Sequence, residues 1–151
     1  VLGKVKFKVM HTPGHTQESS CFLLYDEHDH PYAIFTGDTL FVGDVGRPDL
    51  AVNRKYSRED LARLLYDSLY EKVLKLEDKV IVYPGHGAGS QCGKNLGDQN
   101  FSTIGVQRRS NYALQAPTKE EFVRVVTEGI VAPPKYFPKD AAINKEGYTA
   151  L

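Results

Sequence analysis

The sequence predicts an α/β domain, and three observations carry that reading. Short apolar runs of period two recur along the chain, as half-buried strands do. Several of these runs end in a glycine-bearing loop. Two capped amphipathic helices lie among them.

Val5, Phe7 and Val9 alternate with Lys4, Lys6 and Lys8, which predicts a strand with one apolar face. A polar loop, HTPGHTQES, follows. SCFLLYD predicts a second strand, Asp29 to Pro31 a turn, and YAIFTGD a third strand. FVGDVGRPDL combines Gly, Pro and Asp and reads as a long loop of the kind that carries function. Ser57, with Asp60 three residues on, opens the best helix, and Leu61, Leu64, Leu65, Leu69 and Val73 form its apolar stripe. KVIVY predicts a fourth strand, ended by Pro84. A glycine-rich loop leads to a polar helix expected over 102–114. Thr118 and Glu121 form a capping-box pattern for a further helix reaching Gly129, with Phe122, Val125 and Val126 on its apolar side. Residues 1–134 are expected to form one domain unit. Residues 135–151, beyond Pro133 and Pro134, lack periodicity and are expected to be an exit segment or linker.

The 151 residues suffice for a domain with a real core. Nineteen basic residues balance nineteen acidic ones, so net charge draws the chain neither to nucleic acid nor to an anionic membrane. No apolar run approaches the ~20 residues of a membrane helix, and the opening residues read as a strand rather than a signal peptide. Two cysteines, Cys21 and Cys92, do not make a disulfide framework and favour a reducing, cytoplasmic setting.

Three motifs share one design. His15 in HTPGHT, Asp38 in FTGD and His86 in YPGH each follow a glycine in a loop after a strand. Loops at strand ends converge on one edge of a sheet, and two imidazoles with a carboxylate suit Zn²⁺ or Fe²⁺. Taken singly, a histidine near a strand end is usually a surface or hydrogen-bonded residue, and Asp38 alone could cap a turn. The threefold recurrence favours metal binding. His11 is expected in the core or behind the ligands, and His28 and His30 in a hairpin turn. Cys92, six residues after His86, is a possible reactive thiol; a small residue filling a loop is the plainer reading.

HTPGHT, FTGDTLF and YPGH resemble the later blocks of the metallo-β-lactamase superfamily. FTGDTLFVGDVGRPDL and YPGHGAGSQCGKNLGDQNFSTIG narrow the resemblance to persulfide dioxygenases, and within them to bacterial proteins fused to rhodanese domains. The resemblance covers roughly residues 1–134. It implies a four-layered αββα sandwich, here incomplete: the C-terminal half is present, and the N-terminal half with its HxHxDH signature is absent. It implies that His15 and Asp38, with one upstream histidine, hold a single Fe²⁺ as a facial triad open to O₂ and the substrate sulfur. His86 matches the second-metal position of the two-metal hydrolases, where Asp38 would bridge. Arg47 matches an arginine that holds the carboxylates of the thiol carrier.

The implied activity of the parent enzyme is oxidation of a low-molecular-weight thiol persulfide to sulfite and thiol. One alternative is a glyoxalase II-like hydroxyacyl-thioester hydrolase with two metals, often Zn²⁺. Another is a metal-free structural or binding remnant. With two of three matching iron ligands, the chain alone is expected to hold metal substoichiometrically and to be inactive. Val5, Phe7, Val9, Phe22, Leu24, Ile34, Ile81 and Tyr83 are expected to form an apolar face, covered by the missing half or by self-association.

Overall fold

The β-forming runs pair into one five-stranded sheet in the computed structural model, which describes residues 3–87, 99–130 and 134–147. The strands are β1 (Lys6–His11), β2 (Ser20–Tyr25), β3 (Pro31–Gly37), β4 (Ile81–Pro84) and β5 (Ser102–Thr103), adjacent in that order. β1–β2 and β2–β3 are antiparallel, as short connections require, while β4 lies parallel to β3. The helix α1 (Arg58–Glu71) lies in the crossover between β3 and β4, as a parallel pair demands. β1, β3 and β4 therefore run in the same direction, and their C-terminal ends share one edge of the sheet.

α1 begins where the sequence places it. Ser57 Oγ accepts from the Asp60 amide and Asp60 returns a bond to the Ser57 amide, a complete capping box. α2 (Ile104–Ser110) is shorter than expected. Ser102 and Thr103 are drawn into the sheet as β5, and Asn111 caps a separate 3₁₀ turn over Tyr112–Gln115. α3 (Lys119–Thr127) is capped by Thr118, but only half of the expected box forms: the Glu121 carboxylate is turned to Arg124 instead. The tail, read as aperiodic, contains α4 (Phe137–Glu146), which stops at Gly147 with φ 83°.

One sheet face is covered by helices. Cys21, Leu23, Ile34 and Val82 from the strands meet Ala62, Leu65, Leu69, Val73, Phe122 and Val126 in a closed core. Ile34 thus belongs to the helix-covered face and not to the apolar face expected from its sequence neighbours. β3 alternates, so Phe35 takes the opposite side. There Val9, Phe22, Phe35 and Tyr83 form a cross-strand row. Phe35 stacks on Tyr83 at 5.5 Å between ring centroids, with Phe7 and Phe101 flanking. All six side chains are exposed, Val9 at 62% and Phe101 at 57%. No described helix is long and apolar enough to cross a membrane.

Candidate metal centre

The shared strand direction brings three loops to one edge, and each is locked by local chemistry. The loop after β1 is pressed on α1: Ser68 donates to the Pro13 carbonyl at 2.7 Å, and a Cβ on Gly14 would collide with Leu65. Thr12 Oγ1 meets Thr39 Oγ1 at 3.0 Å, tying this loop to the one after β3. In that second loop Gly37 adopts φ 50°, and Thr36 Oγ1 donates to the Leu40 carbonyl at 2.6 Å. After β4, the Gly85 amide donates to the Gly37 carbonyl at 2.8 Å. Gly85 has no positive φ; it is glycine because a Cβ would lie 3.2 Å from the Gly37 carbonyl carbon. The three glycines preceding His15, Asp38 and His86 therefore serve different ends.

His15, Asp38 and His86 come together around the Asp38 carboxylate. His86 Nε2 stands 2.9 Å from Asp38 Oδ1, and His15 Nε2 stands 3.8 Å from Asp38 Oδ2. His15 is 6% exposed. Its Nδ1 lies 2.9 Å from the Arg47 carbonyl oxygen, which can only accept, so Nδ1 is the donor and, in the neutral ring, Nε2 presents the lone pair. His86 Nδ1 faces the Gly87 carbonyl at 3.3 Å, with the same consequence for its Nε2. The Phe41 ring lies over the His86 imidazole at 4.5 Å.

These bonds leave lone-pair donors facing a carboxylate. Asp38 Oδ1 is buried with no hydrogen-bond partner, although His86 Nε2 is only 2.9 Å away; the approach is close but not aligned for a hydrogen bond. A buried acceptor without a partner costs roughly 1–3 kcal/mol. Two neutral imidazole nitrogens and an orphaned carboxylate oxygen form a donor set that suits a cation of the zinc or iron kind. Among the described residues, however, no three His, Cys, Asp or Glu side chains are arranged to hold an ion by themselves.

Arg47 is buried, and its guanidinium makes a bidentate pair with Asp49, Nε to Oδ1 and Nη2 to Oδ2, each at 2.7 Å. Its carbonyl is what orients His15. His11 is neither in the core nor behind the ligands: its ring is exposed and bonds the Gln17 carbonyl at 2.7 Å. His28 and His30 sit in the β2–β3 turn around Asp26, as expected. Cys92 lies outside the described residues. Cys21, which carried no expectation beyond redox setting, is fully buried, and that burial raises its thiol pKa.

Sequence reasoning missed the residues that support the site. Gly46 is the clearest: a Cβ there would overlap the Asp38 carbonyl and sit 2.9 Å from His15 Cβ. Its signal was present, as the second glycine of FVGDVGRPDL. Phe41, Asp44, Gln107 and Asn111 gave no such signal, because their role depends on α2 folding back onto this loop.

Comparisons with known proteins agree with this architecture. A metallo-beta-lactamase from Staphylococcus aureus superposes with a TM-score of 0.87 at 39% identity, covering 99% of this chain and 43% of that one. ETHE1 from Myxococcus xanthus superposes with a TM-score of 0.74 at 30% identity, covering 96% of this chain and 55% of that one. The hydroxyacylglutathione hydrolase GloC of Haemophilus influenzae is 36% identical over 105 residues, 70% of this chain and 39% of that protein. The chain thus spans about half or less of these relatives. The profile of the Metallo-beta-lactamase superfamily matches residues 1–86, a span that contains His15, Asp38 and His86. With that match over more than half of its length, the chain belongs to the metallo-beta-lactamase superfamily.

Proposed function

We propose that this chain is the metal-ligand half of an enzyme of the persulfide dioxygenase type, which oxidises a low-molecular-weight thiol persulfide to sulfite and thiol. The observation that carries the proposal is the orphaned Oδ1 of Asp38 between two imidazoles whose Nδ1 protons are committed elsewhere. The likeness to ETHE1, a neighbour from that branch, and the FTGDTLFVGDVGRPDL stretch support the choice of reaction.

His15 and Asp38 would hold the ion, with a third ligand from outside this chain. Bound iron supplies open coordination positions for oxygen and for sulfur. The chain's own part is orientation. The Arg47 carbonyl holds His15 Nδ1 as a donor and so aims Nε2 at the site, and Asp38 supplies the negative charge. Arg47 is proposed to hold carboxylates of the thiol carrier. Its bidentate pair with Asp49 neutralises its charge, so this role requires Asp49 to share the guanidinium. Cys92 is kept as a possible thiol for sulfane sulfur.

A second reading has its own observation. His86 stands closer to Asp38 than His15 does, which suits Asp38 as a bridge between two metals in a hydroxyacyl-thioester hydrolase. The likeness to GloC supports it. The test is a pair of assays on the whole protein that carries this chain: oxygen uptake with glutathione persulfide, and hydrolysis of a hydroxyacylglutathione thioester. Oxygen uptake with one iron per chain supports the first reading. Thioester hydrolysis with two metals replaces it by the second. Neither activity in a metal-free protein leaves the structural remnant.

A further inference from the structure

The loop that carries Phe41 and Arg47 is gripped from outside the site. It folds as a narrow hairpin, with a Leu40–Val45 bridge, the Phe41 amide donating to the Asp44 carbonyl at 3.0 Å and the Gly46 amide to the Thr39 carbonyl at 3.4 Å. Its tip meets a largely buried polar cluster on and around α2. Gln107 Oε1 accepts from the Gly43 amide at 2.8 Å and from Asn111 Nδ2 at 3.0 Å, and its Nε2 donates to Ser102 Oγ at 2.8 Å. Asn111 Nδ2 also donates to the Asp44 carbonyl at 2.8 Å. The hydroxyl of the partly buried Tyr112 is hydrogen-bonded to the Asp44 side chain, and desolvation raises its pKa. Gln107, Asn111 and Asp44 are each at most 1% exposed.

A hydrophobic core would have held α2 to the sheet without burying an amide pair and a carboxylate. The polar cluster does something apolar packing cannot: each bond ends on a backbone atom of the hairpin tip or on a side chain that aims one. The same hairpin presents two parts of the site, the Arg47 carbonyl just past its base, which accepts from His15 Nδ1, and the Phe41 ring beside its tip, which lies over His86. We infer that Gln107 and Asn111 are positioning residues that act through this hairpin to fix the tautomer of His15 and the ring of His86. Neither residue is hydrogen-bonded to His15 or Asp38. The inference rests on the site reading proposed above for its purpose, but not for its measurement.

The measurement is the ¹⁵N imidazole spectrum of His15 in the metal-free chain, which distinguishes a protonated Nδ1 from a protonated Nε2. The unaltered chain should show His15 almost wholly as the Nδ1-protonated tautomer. Gln107→Met, close to isosteric but unable to bond the Gly43 amide, should bring the Nε2-protonated form to a comparable population. Ser57→Ala is the control: it weakens a remote helix cap and should leave His15 unchanged. Ser102→Ala, which frees the Gln107 amide from its anchor, should shift His15 in the same direction by less, and it decides the matter if Gln107→Met does not fold. An unchanged His15 spectrum in a folded Gln107→Met chain, or in Ser102→Ala if that is the variant that folds, overturns the inference. So does an equal shift in Ser57→Ala, because loss of stability alone would then explain it. No metal or substrate enters these readings, so failure of either activity assay leaves their outcome decidable.

Discussion

Asp38 shows how a single residue can favour binding over stability. Its orphaned Oδ1 faces the lone pair of His86 Nε2. Asp38→Asn, with its amide nitrogen turned to His86, would gain a hydrogen bond and lose the charge. The metal-free chain should become more stable by about 1 kcal/mol, measured by urea denaturation, while metal retention falls. Gly46 makes the opposite case. Gly46→Ala must push Asp38 and His15 apart, and should cost about 1–3 kcal/mol together with metal retention. Unchanged stability in that variant would mean that the loop yields freely. Cys21 offers a pH reading. Burial raises its pKa, so the folded chain keeps the thiol protonated where the unfolded chain ionises it. Stability from this group is present below the free-thiol pKa and falls as pH rises from there towards the raised value. Alkylation at Cys21, mapped by peptide, should stay slow across that window and become fast in denaturant. Fast labelling of the native chain would refute its burial. The ligand-bearing motifs were legible in sequence because glycine and strand endings are local signals. The partners of Arg47 and the place of Gly46 were not, since both depend on loops meeting across the sheet edge.

At the scale of elements, capping decided what could be read. Ser57 and Asp60 complete a reciprocal box, and α1 begins where the sequence says. Ser57→Ala should cost about 1 kcal/mol by thermal or urea denaturation and leave the site's spectra unaltered. A loss well above 2 kcal/mol would show that Ser57 does more than cap. Thr118 and Glu121 carry the same pattern, yet Arg124 one turn on takes the Glu121 carboxylate, so local charge overrode the motif. The region expected as one helix over 102–114 starts late because β4 recruits Ser102 and Thr103 into the sheet, a tertiary demand that periodicity does not register, and it divides at Asn111, which caps the 3₁₀ turn. α4 was missed for a related reason: its apolar pattern is weak, and its helix signals sit at its ends, Pro138 at the start and Gly147 at the stop.

For the whole molecule, the sheet has one face closed by helices and one face of exposed aromatic and aliphatic side chains. Val9, Phe22, Phe35, Tyr83, Phe7 and Phe101 form a patch of the kind that rarely stays in water on a monomer. We predict that the isolated chain self-associates, and that Val9→Lys with Phe22→Lys shifts it towards monomer in light scattering without loss of helicity. A monomeric unaltered chain with a cooperative unfolding transition contradicts this. That the chain spans about half or less of its relatives bears on the metal as well. His15 and Asp38 are the two ligands proposed for the facial triad, His86 is proposed for the second-metal position, and among the described residues no set of three is arranged to hold an ion alone. Metal retention by the 151-residue chain is therefore the most direct test, measured as zinc and iron content after loading and dialysis, with Asp38→Asn in parallel. The expected result is clearly substoichiometric metal in the unaltered chain and less in Asp38→Asn. One metal per chain surviving dialysis, or retention indifferent to Asp38→Asn, would contradict the site described here.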